Sequence, residues 1–150
     1  MSFLSVLVAP LPLRPLFNGN KNLNQSIIFN VMSELIAGNP VGTHLLINVY
    51  DIPTPHLLEY AIRGLPLLDD IVRTLNLHVV SQTGHQFQPV GYTHAYVLSE
   101  SHFTIHTYPE HRSCYIDIFC CNPEFSPAQA IQLVQTRFNT QNVRYQVVQR

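Results

Sequence analysis

The second half of the chain contains four short segments in which apolar and polar residues alternate, and this pattern constrains the fold more than any other feature. Alternation over so short a length is typical of β-strands that bury one face. Turn residues separate the segments, and strands that follow one another in this way favour antiparallel pairing. The four predicted strands are residues 77–81, 93–99, 102–107 and 114–119.

Helical periodicity and two further apolar strands occupy most of the remaining sequence. The elements predicted there are a strand at residues 43–50, a helical piece opened by Thr54 and Pro55, a second piece at residues 67–75, a helix begun by Ser126 and Pro127, and a strand at residues 143–148. Gly64 and Pro66 are expected to separate the first two helical pieces, because both residue types destabilise a helix interior. The predicted fold class is therefore α+β: one antiparallel sheet with helices packed on one face.

Residues 1–40 form a separate predicted segment. Prolines at positions 10, 12 and 15 indicate an extended arm, and apolar residues at helical spacing predict a helix over residues 25–37. The apolar start of the segment lacks the basic region of a secretory signal. We expect an N-terminal arm and helix extension at residues 1–40, followed by one domain at residues 41–150.

Charge and hydrophobicity exclude some partners and favour another. The 8 Lys and Arg residues and 9 Asp and Glu residues give a net charge of -1; the basic residues are scattered, so no nucleic-acid partner is expected. No run approaches the roughly 18 apolar residues of a membrane-spanning helix, so no membrane partner is expected. Only 11% of the residues are charged and 46% are hydrophobic, which favours burial of part of the surface in a homodimer.

The chain has 3 cysteines, of which Cys120 and Cys121 are adjacent. An odd number with an adjacent pair does not form a conventional disulfide framework. We therefore expect reduced thiols and a cytoplasmic location.

Residues 99–110, with the sequence SESHFTIHTYPE, carry the strongest functional signal. A serine hydroxyl becomes a good nucleophile only when a base or a strained geometry activates it. His106 lies five residues after Ser101, and cysteines follow soon afterwards. This combination indicates chemistry that the chain performs on its own backbone.

The same stretch resembles the cleavage and active-site segment of the prokaryotic S-adenosylmethionine decarboxylase proenzymes. The residues 42–46 (GTHLL) resemble the opening strand of that family, residues 87–91 (FQPVG) its turn into the central hairpin, and residues 115–122 (YIDIFCCN) the strand that ends in its catalytic cysteine. The resemblance extends from residue 42 to about residue 148. It implies an S-adenosylmethionine decarboxylase-like sandwich and a self-processing, pyruvoyl-dependent decarboxylase that makes the aminopropyl donor for spermidine synthesis.

The resemblance also implies how the chain would process itself. Cleavage is expected between Glu100 and Ser101: the Ser101 hydroxyl attacks the Glu100 carbonyl, an ester forms, and elimination followed by hydrolysis leaves a pyruvoyl group that forms a Schiff base with the substrate. His106 matches the histidine that removes the serine α-proton, a task suited to imidazole. Thr93 stands where relatives carry a serine that supports the acyl shift, and it retains the hydroxyl.

For turnover, the resemblance implies a proton donor and a substrate pocket. Cys121 matches the cysteine that returns a proton to the substrate α-carbon, and its neighbour Cys120 is expected to face the core. Phe87 and Glu110 match residues that stack on the adenine and bind the ribose hydroxyls of S-adenosylmethionine. Tyr108 stands where many relatives have tryptophan.

Strand geometry places a demand on this interpretation. In a regular strand Ser101 and His106 point to opposite sides, because side chains alternate. A bend or a bulge is therefore needed at the cleavage site for Ser101 and His106 to converge.

Three competing hypotheses remain at this point. The first is a zinc site with imidazole and thiolate ligands; its candidates are His102, His106, His111, Cys114 and Cys121. Their spacing matches no compact ligand pair, so the prediction is that no metal is bound. The second is a pyruvoyl-dependent arginine or ornithine decarboxylase, and the third is a regulatory homologue that does not process itself.

Overall fold

Residues 41–150 of the computed structural model fold around one six-stranded antiparallel sheet, and the extension predicted at residues 1–40 lies outside the described residues. The strands are β1 (Thr43–Val49), β2 (Val79–Gln86), β3 (Tyr92–Leu98), β4 (Ser101–Tyr108), β5 (Ser113–Cys120) and β6 (Val143–Gln149). Across the sheet they lie in the order β2-β3-β4-β5-β1-β6. The helices are α1 (His56–Glu59), α2 (Ala61–Thr74) and α3 (Pro127–Phe138), with a 3-10 turn at Pro109–His111. The predicted α+β class is confirmed.

The sheet buries one face under the helices. Alternate residues of β1, β3, β4 and β5 point into this core, where they meet the apolar sides of α2 and α3. The largest core side chains with almost no exposed surface include Tyr92, Tyr96, Phe103, Phe138 and Ile71. Full burial of such a side chain contributes about 1.5–3 kcal/mol relative to exposure, and a slip of one residue would turn the apolar set outwards. The core therefore fixes which residues occupy the other face.

The other face of the sheet carries polar and aromatic side chains. Because residues alternate along each strand, the neighbours of the core residues point outwards there. They include His44 on β1, Thr93 on β3, His102 and His106 on β4, and Asp117 on β5, all partly or largely exposed. We call this side of the sheet the open face. Both imidazoles of β4 lie on it.

Two predicted boundaries differ from the structure. Gly64 and Pro66 lie inside α2, and the break between the helices falls instead at Tyr60, which is extended. Position 64 requires glycine, because α2 packs so closely against β3 that a methyl group there would overlap the Tyr92 hydroxyl. The strand predicted at residues 77–81 begins later and runs to Gln86, because β2 is an exposed edge strand whose polar residues hide the usual alternation. Within residues 41–150, no helix is both long and apolar enough to cross a membrane.

Candidate active site

The predicted cleavage bond lies in the tight turn between β3 and β4, where the backbone is strained. Ser101 is the first residue of β4, and its φ angle is 147°. Only glycine adopts this region readily, and another residue held there costs on the order of 1–3 kcal/mol. Strain of this kind collects at functional sites, and here it falls on the residue whose hydroxyl was predicted to attack.

Hydrogen bonds hold Glu100 on both sides of this turn. Its carbonyl oxygen accepts from the Cys121 backbone N–H at 3.1 Å. Its carboxylate lies 2.5 Å from His78 Nδ1 and also accepts from the His78 backbone N–H at 3.3 Å. Burial by itself would raise the pKa of the Glu100 carboxyl, but the hydrogen bonds, chiefly from the His78 side chain, outweigh it and hold that pKa below its ordinary value. The scissile carbonyl is thereby fixed and polarised.

Cys121 follows the last residue of β5 and is exposed, whereas Cys120 is buried in the core. A methyl group on Gly42 would lie 3.1 Å from the Cys121 sulfur and 2.8 Å from the Cys120 carbonyl, so the close approach of β1 to this thiol requires glycine. Burial raises the pKa of the Cys114 and Cys120 thiols. Cys121 is thus the exposed thiol among the three and the one that lies beside the predicted cleavage turn.

A polar chain of side chains on the open face ends at Ser101. The Ser101 hydroxyl lies 3.2 Å from His102 Nδ1, and His102 Nε2 lies 3.5 Å from Asp117 Oδ1. His44 Nε2 lies 2.5 Å from the same carboxylate oxygen. Sequence reasoning assigned no catalytic role to His44 or Asp117 and considered His102 only as a metal ligand. The missing information was the strand order, which sets β1 beside β5 although the two are far apart in sequence.

A second group of predicted residues meets at the other end of β4. The Thr93 hydroxyl donates to the Ile105 carbonyl at 3.1 Å and lies 2.9 Å from His106 Nδ1. Because a hydroxyl has only one proton, His106 Nδ1–H must donate to Thr93. The lone pair of a neutral His106 then lies on Nε2, which is free to act as a base.

The predicted substrate residues line one cleft beside this histidine. The cleft has a volume of about 270 Å³, and its lining includes Phe87, His106, Tyr108 and Glu110. Phe87 is 45% exposed and Tyr108 is 41% exposed, so both rings offer faces to a ligand. An aromatic ring and a carboxylate in one cleft suit a purine nucleoside with a vicinal diol.

No bulge interrupts β4, which pairs with β5 in unbroken register from Ser101 to Tyr108; the backbone departs from regular strand geometry at Ser101 itself. Five residues of regular strand separate two Cα atoms by about 16 Å. One chain therefore contains two separate groups: a cleavage cluster (Glu100, Ser101, His102 and Cys121) and a pocket cluster (Phe87, Thr93, His106, Tyr108 and Glu110).

The set of residues considered for zinc does not converge. Cys114 points into the core, whereas His102 and His106 occupy the open face. A different set does come together: one ligand atom from each of His44, His102 and Asp117 lies within 4.8 Å of the others. This cluster is the polar chain that ends at Ser101.

A six-stranded antiparallel sheet with helices on one face, and an exposed cysteine beside a Glu-Ser turn, agree with the class of decarboxylases that the sequence resembles. The chain belongs to the S-adenosylmethionine decarboxylase family. The model of that family matches residues 43–150. The recognition made from the sequence is therefore confirmed.

Individual relatives agree with this membership. The S-adenosylmethionine decarboxylase proenzyme of Aquifex aeolicus is 32% identical over 111 residues, covering 73% of this chain and 81% of the relative. The proenzyme of Clostridium botulinum (strain Hall) is 37% identical over 92 residues, covering 60% of this chain and 77% of the relative. The crystal structure of the adenosylmethionine decarboxylase from Aquifex aeolicus matches with a TM-score of 0.68 at 29% identity, covering 75% of this chain and 92% of the other.

Proposed function

We propose that this protein is a proenzyme that cleaves its own Glu100–Ser101 bond and then decarboxylates S-adenosylmethionine to the aminopropyl donor for spermidine synthesis. Membership of the family supports the reaction and the substrate. The observation that carries the self-cleavage is the strained backbone of Ser101, with φ of 147°, next to a carbonyl that already accepts a hydrogen bond. Intact-mass measurement on the purified protein tests it, since two fragments are expected.

Cleavage begins with an acyl shift within the turn. The Ser101 hydroxyl oxygen bonds to the Glu100 carbonyl carbon, and the peptide C–N bond breaks to leave an ester. Negative charge develops on the Glu100 oxygen, where the Cys121 N–H donates and stabilises it. Relief of the strain at Ser101 lowers the barrier further, because the serine is no longer held by the peptide bond.

Elimination then separates the two fragments. His106, contributed by the second chain of the dimer described below, takes the α-proton of Ser101, and the ester oxygen leaves with the Glu100 carboxylate. The free Nε2 lone pair deduced from the contact between His106 and Thr93 supports this role. Elimination leaves a dehydroalanine at position 101, which tautomerises to an imine; water then adds and ammonia leaves. The products are residues 1–100 and residues 101–150, the latter beginning with a pyruvoyl group formed from Ser101.

The residues around Ser101 fit such a group. The pyruvoyl carbonyl, once formed, supplies an electron sink for decarboxylation of an amine-linked substrate. Phe87 and Tyr108 hold the adenine and the sulfonium, Glu110 accepts from the ribose hydroxyls, and the Cys121 thiol delivers a proton to the substrate α-carbon. The exposure of Cys121 beside the cleavage turn supports its assignment.

The active enzyme is a homodimer of processed protomers in which each site uses two chains. The separation of about 16 Å between the cleavage cluster and the pocket cluster, at five residues of regular strand, supports this arrangement. Both clusters contribute side chains to the open face. Twofold pairing through the open face would bring the pocket cluster of one chain to the cleavage cluster of its partner. The symmetry would create two equivalent sites in the dimer.

Mixing two inactive variants should restore cleavage. A Ser101→Ala chain keeps an intact His106, and a His106→Ala chain keeps an intact Ser101. When the two are co-expressed with different tags, we expect the His106→Ala chains that pair with Ser101→Ala chains to be cleaved, as fragment masses on a denaturing gel would reveal. Each variant expressed alone is the control. If the mixture cleaves no better than His106→Ala alone, both clusters act within one chain and the shared site is wrong.

The substrate assignment predicts a selective loss in two pocket variants. Loss of a stacking ring costs on the order of 1–3 kcal/mol, and loss of a charged hydrogen-bond partner costs a similar amount. Phe87→Ala and Glu110→Gln should each lower kcat/KM for S-adenosylmethionine by roughly tenfold to a hundredfold, while self-cleavage continues. Glu124→Gln, an exposed carboxylate outside the cleft, is the matched control.

Carbon dioxide release from labelled S-adenosylmethionine, arginine and ornithine should be measured side by side on these variants. Arginine and ornithine have neither a purine nor a ribose diol, so they lack the groups that Phe87 and Glu110 are proposed to bind. Faster release from either free amino acid would refute the substrate assignment.

We also assign the protein to the cytoplasm. The three cysteines are all free, and reduced thiols are typical of that compartment.

A further inference from the structure

We propose that His102 is the base that takes the Ser101 hydroxyl proton in the acyl shift, and that Asp117 and His44 hold its ring for this task. The inference rests on the proposed self-cleavage and assigns its first step to a histidine other than His106. His102 touches the reacting oxygen, whereas His44 and Asp117 act through it as positioning residues.

The hydrogen-bond directions along the chain of contacts are determined from its far end. Arg150 can only donate, and its Nη1 lies 3.1 Å from His44 Nδ1, so that nitrogen is an acceptor. The proton of neutral His44 is therefore on Nε2, which donates to Asp117 Oδ1 at 2.5 Å. An ionised carboxylate can accept a second donor at the same oxygen.

The Asp117 carboxylate also acts on the His102 ring. His102 Nε2 lies 3.5 Å from that carboxylate, and the negative charge favours the tautomer with the proton on Nε2. Nδ1 then carries the lone pair, and it lies 3.2 Å from the Ser101 hydroxyl. Serine, histidine and aspartate thus stand in the order that activates a serine nucleophile elsewhere, with the carboxylate fixing the tautomer of the imidazole.

The step balances without any added reagent. His102 Nδ1 receives the hydroxyl proton as the Ser101 oxygen bonds to the Glu100 carbonyl carbon. The C–N bond breaks, and the same proton passes from His102 to the Ser101 nitrogen, which leaves as an amine. The positive charge that His102 carries in between is stabilised by Asp117.

The contacts of the two imidazoles disfavour a metal between them. A histidine that binds a metal usually donates its other ring N–H to an acceptor. The second nitrogen of His44 instead receives a hydrogen bond from the Arg150 guanidinium, a cation, and the second nitrogen of His102 faces the Ser101 hydroxyl. His44 and Asp117 are already joined directly at 2.5 Å.

Self-cleavage kinetics of freshly synthesised His102→Ala test the assignment. Removal of a general base typically slows a step by about 10²- to 10⁴-fold, so we expect full-length protein to accumulate and added imidazole to restore part of the rate. The second readout is hydroxylamine, which splits an ester. The His102→Ala chain should resist it because the ester has not formed, whereas His106→Ala, which stalls later, should be cut between Glu100 and Ser101.

Variants that keep the shape of the cluster separate positioning from folding. His44→Gln retains a donor for Asp117 and should cleave faster than His44→Ala, and Asp117→Asn, which has the same size but no charge, should slow cleavage at least about tenfold. His56→Ala, an exposed histidine at the start of α1, is the control and should cleave normally. Thermal melts of all variants identify any loss of folding, and His102→Gln provides the second substitution if His102→Ala does not fold.

The outcomes distinguish the two claims. If the wild-type chain never cleaves, the proposed function is wrong and this inference fails with it. If the wild type cleaves but folded His102→Ala cleaves at the same rate, or accumulates a hydroxylamine-sensitive ester, only the role of His102 is refuted. Loss of wild-type cleavage in a chelator, with recovery on adding zinc, would refute it in favour of a metal.

Discussion

Ser101→Ala should remain one uncut chain of 150 residues and show no decarboxylase activity. The substitution removes the oxygen that forms the ester with the Glu100 carbonyl. The fold should survive, because alanine is slightly smaller than serine and the side-chain hydrogen bond lost within residues 41–150 is the 3.2 Å contact with His102. Intact mass after long incubation, together with labelling by a ketone-specific reagent, measures the result.

Two further variants sharpen this test. Ser81→Ala, an exposed serine on β2, should cleave like the wild type. Ser101→Gly should stay uncut but unfold at a higher denaturant concentration than Ser101→Ala, since glycine adopts the φ of 147° without strain worth about 1–3 kcal/mol. Two fragments from Ser101→Ala, or a wild type that stays whole and binds no ketone reagent, would exclude the proposed self-cleavage.

Cys121→Ala should separate processing from turnover. The backbone N–H that stabilises the Glu100 oxygen is unchanged, so the variant should still cleave at least partly. Without the thiol, the substrate α-carbon loses its proton donor, and we expect most decarboxylase activity to disappear, by roughly 10²-fold or more. Carbon dioxide release per mole of cleaved protein is the measurement, and the enzyme should inactivate faster because protonation at the wrong atom consumes the pyruvoyl group.

Cys120→Ala is the matched control for this variant. Its side chain is buried on the opposite side of the sheet, so its loss should lower stability while leaving the rate per folded molecule unchanged. Normal turnover by Cys121→Ala would show that another group delivers the proton.

Most of the sheet could be predicted because its strands have one buried face. Residues such as Phe103 and Ile105 alternate with polar neighbours, and this alternation located β3, β4 and β5 to within about two residues. It failed for β2, an edge strand with almost no buried side chains. Helix prediction failed at Gly64, where close packing against Tyr92 keeps a helix intact that local propensity would end.

The resemblance proposes individual site residues, but it does not say how the fold groups them. Phe87 follows β2 and Glu110 lies in the 3-10 turn after β4, and the resemblance implies that they act together. The structure brings both into one cleft. The separation of Ser101 from His106 follows from an unbroken strand register, which no local pattern encodes. The contact of His44 with Asp117 depends on β1 inserting beside β5, a pairing across more than seventy residues.

That strand order has a consequence for the two fragments of the proposed cleavage. A cut in the turn between β3 and β4 would leave β1, β2 and β3 in one fragment and β4, β5 and β6 in the other. Because β1 lies between β5 and β6, the two pieces interlock, and neither can leave without unravelling the sheet. Folding must therefore come before cleavage, and a molecule denatured afterwards must find its missing half by collision before it can become native again.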